Sequence, residues 1–343
     1  MSNEQPETGR ARRVTIFDVA AASGVSRGTI SRYLNDSGYV SESARQAIKD
    51  AVEEVGYVPN TAARSLATRQ TKNIAFVVHE SHNMFYNDPN LGGMLTAANR
   101  VLSEADFQLV ILILDTEQTL SRIAGHLRGG YVDGAILVSV RAEDPLLRIV
   151  QELGIPAAMA GRPAGASSVP WVDVDNVEAA RGISARLVGT GRKRIAMIEG
   201  PETMRAARER LAGFTSAVGA HFDANLVIPT PDWGHESGFD AMREILRREP
   251  AVDGVFAACD AIAIGAMDAL REAGKSVPGD VGVVGFDDSL WAKRSFPGLS
   301  TVRQPVEEMG ARMAAMVLRQ LKGEDLRHTH EIVPTSIVWR DSA

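Results

Sequence analysis

From Asn73 onward the chain alternates short, continuous apolar runs with longer stretches in which apolar residues recur every third or fourth position. The runs IAFVV, QLVILIL, GAILVS, PAAMAG and WVDVD lie between residues 74 and 175, and RIAMIEG, NLVIPT, GVFAAC and VGVVGFD lie between 194 and 287. Runs without polar alternation suit strands buried on both faces, as in a parallel sheet covered by helices. Helices are predicted around 89–105, after residue 114, after Asp144, from about 201 to 220, around 235–248 and from 260 to 273. The alternation predicts an α/β fold of two doubly wound parallel sheets of similar size. In the 89–105 helix, Leu91, Met94, Leu95, Ala98 and Leu102 form one apolar stripe, a candidate dimerisation surface.

The preceding segment has no strand-like runs and reads as small helices. Thr15 stands three residues before Asp18, a capping-box spacing, and Gly24 stops the helix that follows. Ser26 is a good N-cap for a second helix, and a Gly24-Val25-Ser26 connection makes the two cross steeply, as in a helix-turn-helix. Arg27, Gly28, Thr29 and Arg32 then occupy the first exposed turns, from which a recognition helix reaches base edges. A third helix carries Ala44, Ala47, Ile48, Ala51, Val52 and Val55 on one face and ends at Gly56. Asn60 can cap a short segment, 61–67, that has too few residues to be stable alone.

The motifs VTIFDVA, GVS, TISRYLN, GYVPN and AARSLA resemble the lactose-repressor/galactose-repressor (LacI/GalR) family of bacterial transcription regulators. The resemblance continues through GRKRIAMIEGP, RERLAGF, DAIAIGAM, DVGVVGFDD and LSTVRQP. It implies a helix-turn-helix DNA-binding domain (1–59), a hinge helix and linker (60–72), and a periplasmic-binding-protein-like effector and dimerisation domain (73–343). The chain would cross three times between lobe 1, about 73–172 and 300–328, and lobe 2, about 173–299 and 329–343. Leu66 matches the residue that wedges between base pairs from the hinge helix, kinking the duplex at a cost that added contacts offset. Thr15, Ser26, Arg27, Gly28, Thr29, Arg32, Asn35, Asn60 and Ala63 complete the expected DNA surface. Gly28 has no side chain to read a base, so operator choice should lean on Arg27 and Arg32.

Ligands of open α/β sheets sit at the carboxyl ends of strands. Asp287 follows the strand VGVVGF as a hydroxyl or amine acceptor, and Arg210 lies early in the helix after RIAMIEGP as a forked donor. Trp233, after NLVIPT, offers an indole face to a sugar ring or a base. The resemblance places these three in the effector cleft. Cys259 is a further cleft position, and a poor hydrogen-bond former where sugar-binding relatives often carry a polar side chain. From the first lobe, Phe85 and Tyr86, with His82, and Arg162, with Gly161, are candidate contacts, although Arg162 suits an exposed cap equally well. Arg and Asp in this arrangement serve both sugars and a purine within the family, so the effector is expected to be a sugar on prevalence, with a nucleobase as the alternative.

Composition narrows the function classes. Of 343 residues 45% are hydrophobic and 23% charged, ordinary values for a soluble chain with sizeable cores. No apolar run approaches the roughly 20 residues that span a bilayer, and MSNEQPETGR is not a signal peptide, so a cytoplasmic protein without membrane association is expected. Cys259 is the single cysteine, which excludes an internal disulfide and a cysteine-cluster metal site. Residues 1–72 hold ten Lys/Arg against eight Asp/Glu, a net of +2, leaving 27 against 35, a net of −8, for the remainder. So weak a positive balance makes binding of double-stranded DNA depend on charge placement and on a homodimer. Arg10, Arg12 and Arg13 fit phosphate contacts and a solvated tail equally. Asp287 and Asp288, as strand neighbours, point opposite ways and do not form an acid/base pair. His79 and His82 lack metal-pair spacing, and neither a dinucleotide fingerprint, a phosphate loop nor a nucleophile elbow occurs. No enzyme, metal or cofactor is therefore predicted. The function read is a ligand-responsive DNA-binding regulator, a repressor of carbohydrate genes on a palindromic operator; the alternative is a small-molecule sensor that signals to a protein partner through its head.

Overall fold

The computed structural model describes residues 14–34, 38–58, 70–79, 88–141 and 144–343. They fall into two compact units, Met1–Thr71 and Lys72–Ala343. In the first, α1 (Ile16–Ser23), α2 (Arg27–Leu34) and α3 (Glu42–Val55) follow the boundaries that the caps set. Asp18 Oδ2 accepts from the Thr15 amide and from its hydroxyl, both at 2.8 Å. Gly24 ends α1 at φ 66°, a left-handed conformation that costs glycine no Cβ clash. Ser26 Oγ accepts from Thr29 N at 3.3 Å and opens α2. Val19, Ile30, Val40, Ile48 and Ala51 form the core of the three helices, with Tyr33 and Tyr57 against it.

In the second unit β1 (Asn73–Val78), β2 (Gln108–Ile113), β3 (Gly134–Val138), β4 (Ala157–Ala160) and β5 (Trp171–Val174) belong to one parallel sheet. β6 (Ile195–Glu199), β7 (Val227–Pro229), β8 (Gly254–Ala257) and β9 (Gly282–Val284) form a second, in the order β7-β6-β8-β9. Alternate residues of β1 feed opposite cores: Ile74, Phe76 and Val78 face one side, Ala75 and Val77 the other. On the first sheet, α4 (Pro89–Glu104) and α12 (Val306–Leu321) cover one face, and α5 (Glu117–Arg128) and α6 (Pro145–Leu153) the other. On the second, α7 (Asn176–Val188) and α8 (Arg205–Val218) pack on one face, α9 (His235–Arg248) and α10 (Asp260–Glu272) on the other. A short helix, α11 (Leu290–Arg294), follows β9.

Three further strands fix the crossings and correct the expected lobe limits. β11 (His330–Val333) pairs in parallel with β5, His330 opposite Trp171, so the first sheet runs β11-β5-β4-β3-β1-β2. The sheets thus have six and four strands rather than equal size. β10 (Thr301–Arg303) pairs antiparallel with β12 (Ser336–Val338) and bridges to the second sheet at Val284↔Ser300 and Asp287↔Arg303. Residues 300–303 therefore belong with the second lobe and 330–333 with the first, the reverse of the sequence assignment. The physical reason is that these strands are short and partly polar, so their partners are set by the crossings and not by an apolar signature. The chain passes between sheets near 175, 304 and 334.

The stripe on α4 is also corrected. Leu91, Met94, Ala98 and Leu102 are buried within the chain and Leu95 packs against the same core, where α12 covers them, so this stripe is not a dimer surface. The two helices meet at a close approach: a Cβ on Gly310 of α12 would lie 2.3 Å from the Met94 carbonyl oxygen. Gly310→Val should therefore destabilise the second unit by about 1–3 kcal/mol or more, read as a lower urea midpoint, because backbone rather than a flexible side chain has to yield.

Candidate functional site

In the helical unit the side chains expected to read bases are exposed and engaged only locally. The Arg27 guanidinium lies 4.6 Å from the centre of the Phe17 ring. Arg32 turns back along α2, its Nε donating to the Gly28 carbonyl at 3.3 Å and an Nη to Thr29 Oγ1 at 3.2 Å. Such long, solvent-exposed bonds are readily exchanged for a base edge or a phosphate. Thr15, Ser26 and Thr29 serve as caps and their partners. Asn35, Asn60, Ala63 and Leu66 lie outside the described residues, as do His82, Phe85, Tyr86 and the arginines at 10, 12 and 13.

In the second unit a cavity of about 780 Å³ is lined from both sheets. Arg210, Trp233, Asp287, Cys259 and Arg162 all border it, so the strand-end rule brings five separated sequence positions together. Arg210, buried on α8, donates from Nε to Asn176 Oδ1 at 2.9 Å, from Nη1 to the Ala258 carbonyl at 2.6 Å and from Nη2 to Gln304 Oε1 at 3.2 Å. Its guanidinium sits 3.6 Å over the Phe286 ring and 5.5 Å from that of Trp233. Asn176, directly after the first crossing, also donates to Asp173 Oδ1 at 3.2 Å, and Asp173 Oδ2 takes the Arg162 amide at 2.8 Å. Burial pushes the Asp173 carboxyl above its ordinary value in spite of those amide donors.

Asp287 and Asp288 follow β9 with φ 120° and 54°, two consecutive non-glycine residues in left-handed backbone. Hydrogen bonds hold that turn: Asp287 N donates to the Val302 carbonyl at 2.7 Å and the Asp287 carbonyl accepts from Gln304 N at 3.1 Å. The two carboxylates diverge, as expected, but through this turn and not as neighbours on a strand. Asp287 faces the cavity, where burial raises its pKa well above the usual range against the pull of Arg210. Asp288 turns away to Arg303 at 2.8 Å and to Arg340; although burial opposes ionisation, those arginines hold its carboxyl below the usual value.

Cys259 does more in the structure than its polarity promised. Its Sγ accepts the Ile262 amide at 3.5 Å as the N-cap of α10 and donates to the Trp233 carbonyl at 3.3 Å, which ties the indole-bearing loop to the start of the helix. Arg162 contributes its amide to the cavity edge, while its guanidinium lies 5.2 Å from the centre of the Trp171 ring and 4.0 Å from Glu209. Sequence reasoning missed Asp88, Asp173, Asn176 and Gln304, which also line the cavity. Gln304 directly follows β10, and Asn176 opens the helix two residues after β5, both at crossings, and that was their available signal. Among the described residues no group of acidic, histidine or cysteine side chains could hold a metal ion.

A helix-turn-helix unit joined in one chain to a two-sheet unit with a ligand-sized cavity at its crossings defines a DNA-binding regulator with a small-molecule site. This chain belongs to the lacI family of bacterial regulatory proteins, whose model matches residues 15–60, while that of the periplasmic binding protein-like domain matches 185–343. It is 41% identical over 97% of its length to the HTH-type transcriptional regulator CelR of Thermobifida fusca, covering 99% of that protein. It is 30% identical over 96% of its length to the ribose operon repressor of Escherichia coli (strain K12), covering 99% of it. A solved CelR–cellobiose complex superposes with TM-score 0.77 at 39% identity, over 96% of this chain and 100% of that one. The fold is likewise that of a lac repressor dimer bound to operator and an anti-inducer, with TM-score 0.84 at 24% identity over 96% of this chain and 99% of that one. The protein is thus a ligand-responsive, DNA-binding transcriptional regulator, like its relatives and unlike an enzyme, and its head is a DNA-binding module rather than a protein-docking one. Among the described residues no helix is long and apolar enough to cross a membrane.

Burial raises the Cys259 thiol well above its ordinary pKa, with Asp287 adding to the effect, so at neutral pH it stays protonated and inert. A chromogenic disulfide reagent should label it at least tenfold more slowly in the native protein than in urea; equal rates would contradict this placement.

Proposed function

We propose that the protein is a cytoplasmic repressor of carbohydrate-related genes, binding a palindromic operator as a homodimer and switched by a sugar in the cavity between its two sheets. One observation carries the reading: the polar groups of the cavity wall are the groups that bind the crossing segments together, Arg210 joining Asn176 after the first crossing to Gln304 after the second. A ligand that competes for these partners changes the relation of the lobes, and hence operator affinity, by as much as it prefers one arrangement over the other. The relatives support a sugar as that ligand, since CelR forms a cellobiose complex and 30%-identical proteins are ribose operon repressors. In this reading Arg210 and Asp287 bind the sugar's hydroxyls and Trp233 covers an apolar face of the ring. Arg27 and Arg32 read guanines, and Leu66 wedges the central step of the operator from the hinge, 60–72.

Dimerisation needs apolar surface other than the α4 stripe. Phe296 is 99% exposed and Leu290, on α11, 50%, and both lie on the second lobe. Phe296→Asp should shift the protein toward monomer in analytical ultracentrifugation and weaken operator binding without lowering sugar affinity.

Selection from random DNA followed by mobility shift should enrich a palindrome, and Leu66→Ala should weaken binding to it by tenfold or more. No enrichment, or unchanged binding by the variant, would overturn the operator reading. Thermal shift against cellobiose, ribose, glucose and adenine should show stabilisation by a sugar that Asp287→Ala abolishes, and repeating the titration with operator present reads the sign of the switch. Stabilisation by adenine alone would transfer the cavity to nucleobases.

A further inference from the structure

Across the cavity from Asp287 stands the beginning of α4, supplied by the first lobe. Asp88 caps that helix, its Oδ1 accepting the Asn90 amide at 2.8 Å, and both residues line the cavity. Asn90 lies close enough to Asp287 to favour its ionised form. Burial raises both carboxyls, Asp88 to about 6 and Asp287 well above the usual range; Asp88 adds to the effect at Asp287, and Arg210 opposes it in both. Each Arg210 nitrogen meanwhile donates to Asn176, Ala258 or Gln304, so the guanidinium offsets the acidic pair without being consumed by it.

We propose that Asp88 contacts the effector and, together with Asp287, forms a pincer with one carboxylate from each lobe that selects an uncharged polyhydroxylated sugar and rejects acidic sugars and sugar phosphates. The proposal rests on the sugar reading above and names the class of sugar. A carboxyl accepts hydrogen bonds through every oxygen that it does not protonate, so two carboxyls lining one cavity from different lobes call for a ligand that brings donors to both, as a ring carrying several hydroxyls does. A ligand carboxylate or phosphate would instead bring a further negative charge into a partly desolvated site. Because the arms belong to different lobes, a sugar held by both also fixes the lobes' separation.

A helix cap is the competing role for Asp88, and the two are separable because asparagine caps helices as well as aspartate does. Asp88→Asn keeps the cap and removes the charge. Calorimetry on the full-length protein with cellobiose, glucose, glucuronate and glucose 6-phosphate tests the pincer. Wild type should bind a neutral sugar and take up neither acid, and Asp88→Asn should weaken the neutral sugar by roughly ten- to a hundredfold, as for a lost hydrogen bond to a charged group. Its melting temperature without ligand should be equal to or above that of wild type, since a like-charge contact has been relieved; a lower one with sugar affinity unchanged would assign Asp88 to the cap alone and overturn the proposal. Preference of wild type for glucuronate or the phosphate would overturn it while leaving a sugar effector in place. Binding of none of the four, with adenine binding instead, would remove the sugar reading and the pincer with it.

Discussion

Arg210 is the constraint around which the second unit is arranged. A guanidinium taken out of water must find a partner for each donor, because an unpaired buried charge costs several kcal/mol. Here the partners come from three separate stretches of chain: Asn176 after the first crossing, Ala258 at the end of β8 and Gln304 after the second crossing. Phe286 supplies an aromatic face at 3.6 Å, so the cation is held by ring and dipoles rather than by a direct ion pair. Satisfying one residue therefore brings two crossings to one point. The cavity is the space left beside that point, which is why the cavity and the crossings coincide in this fold.

Asp287 is coupled to the same junction through its backbone. Its amide and carbonyl bind Val302 and Gln304, so the strained turn and the second crossing move together. Left-handed backbone at two successive aspartates persists only where the surroundings over-determine it. Asp288, clamped by Arg303 and Arg340, supplies that determination from outside the cavity. The division of labour follows from that turn, which directs one carboxylate to the cavity and its neighbour to Arg303 and Arg340.

Most strands of both sheets were legible because burial on two faces demands uninterrupted apolar residues; β5 is interrupted by Asp173, and β2, at the edge of its sheet, carries the apolar run although it is only partly buried. β10, β11 and β12 were not legible: their pairing answers to the crossings, which no local pattern encodes, and this is how 300–303 and 330–333 were assigned to the wrong lobes. The α4 stripe shows a second limit. An apolar stripe has the same spacing whether another helix of the chain or a second protomer covers it, and only α12 decides between them. Among cavity residues, Arg210, Trp233, Cys259 and Asp287 could be found from their places after strands. Asp88 starts a helix, where its capping role hides its position, and Asn176 and Gln304 carry a strand-end signal whose role is defined only when Arg210 is seen to bridge them.

A junction of this kind favours switching over gradual adjustment. Every buried donor in the chain from Asp173 through Asn176 and Arg210 to Gln304 has an acceptor, and a small displacement would leave one of them unpaired. Intermediate positions are thus penalised, while a complete exchange of protein acceptors for those of a ligand is not. The lobes then have a few well-satisfied arrangements rather than a continuum, and an effector acts by its difference in affinity between them. Linkage makes the effect reciprocal: operator DNA that favours one arrangement must change effector affinity by the same factor that the effector changes operator affinity. The size of that factor is bounded by the hydrogen bonds exchanged at the junction, each worth about 0.5–1.5 kcal/mol net for neutral partners and more for Arg210, so a handful of them suffices for a regulatory response.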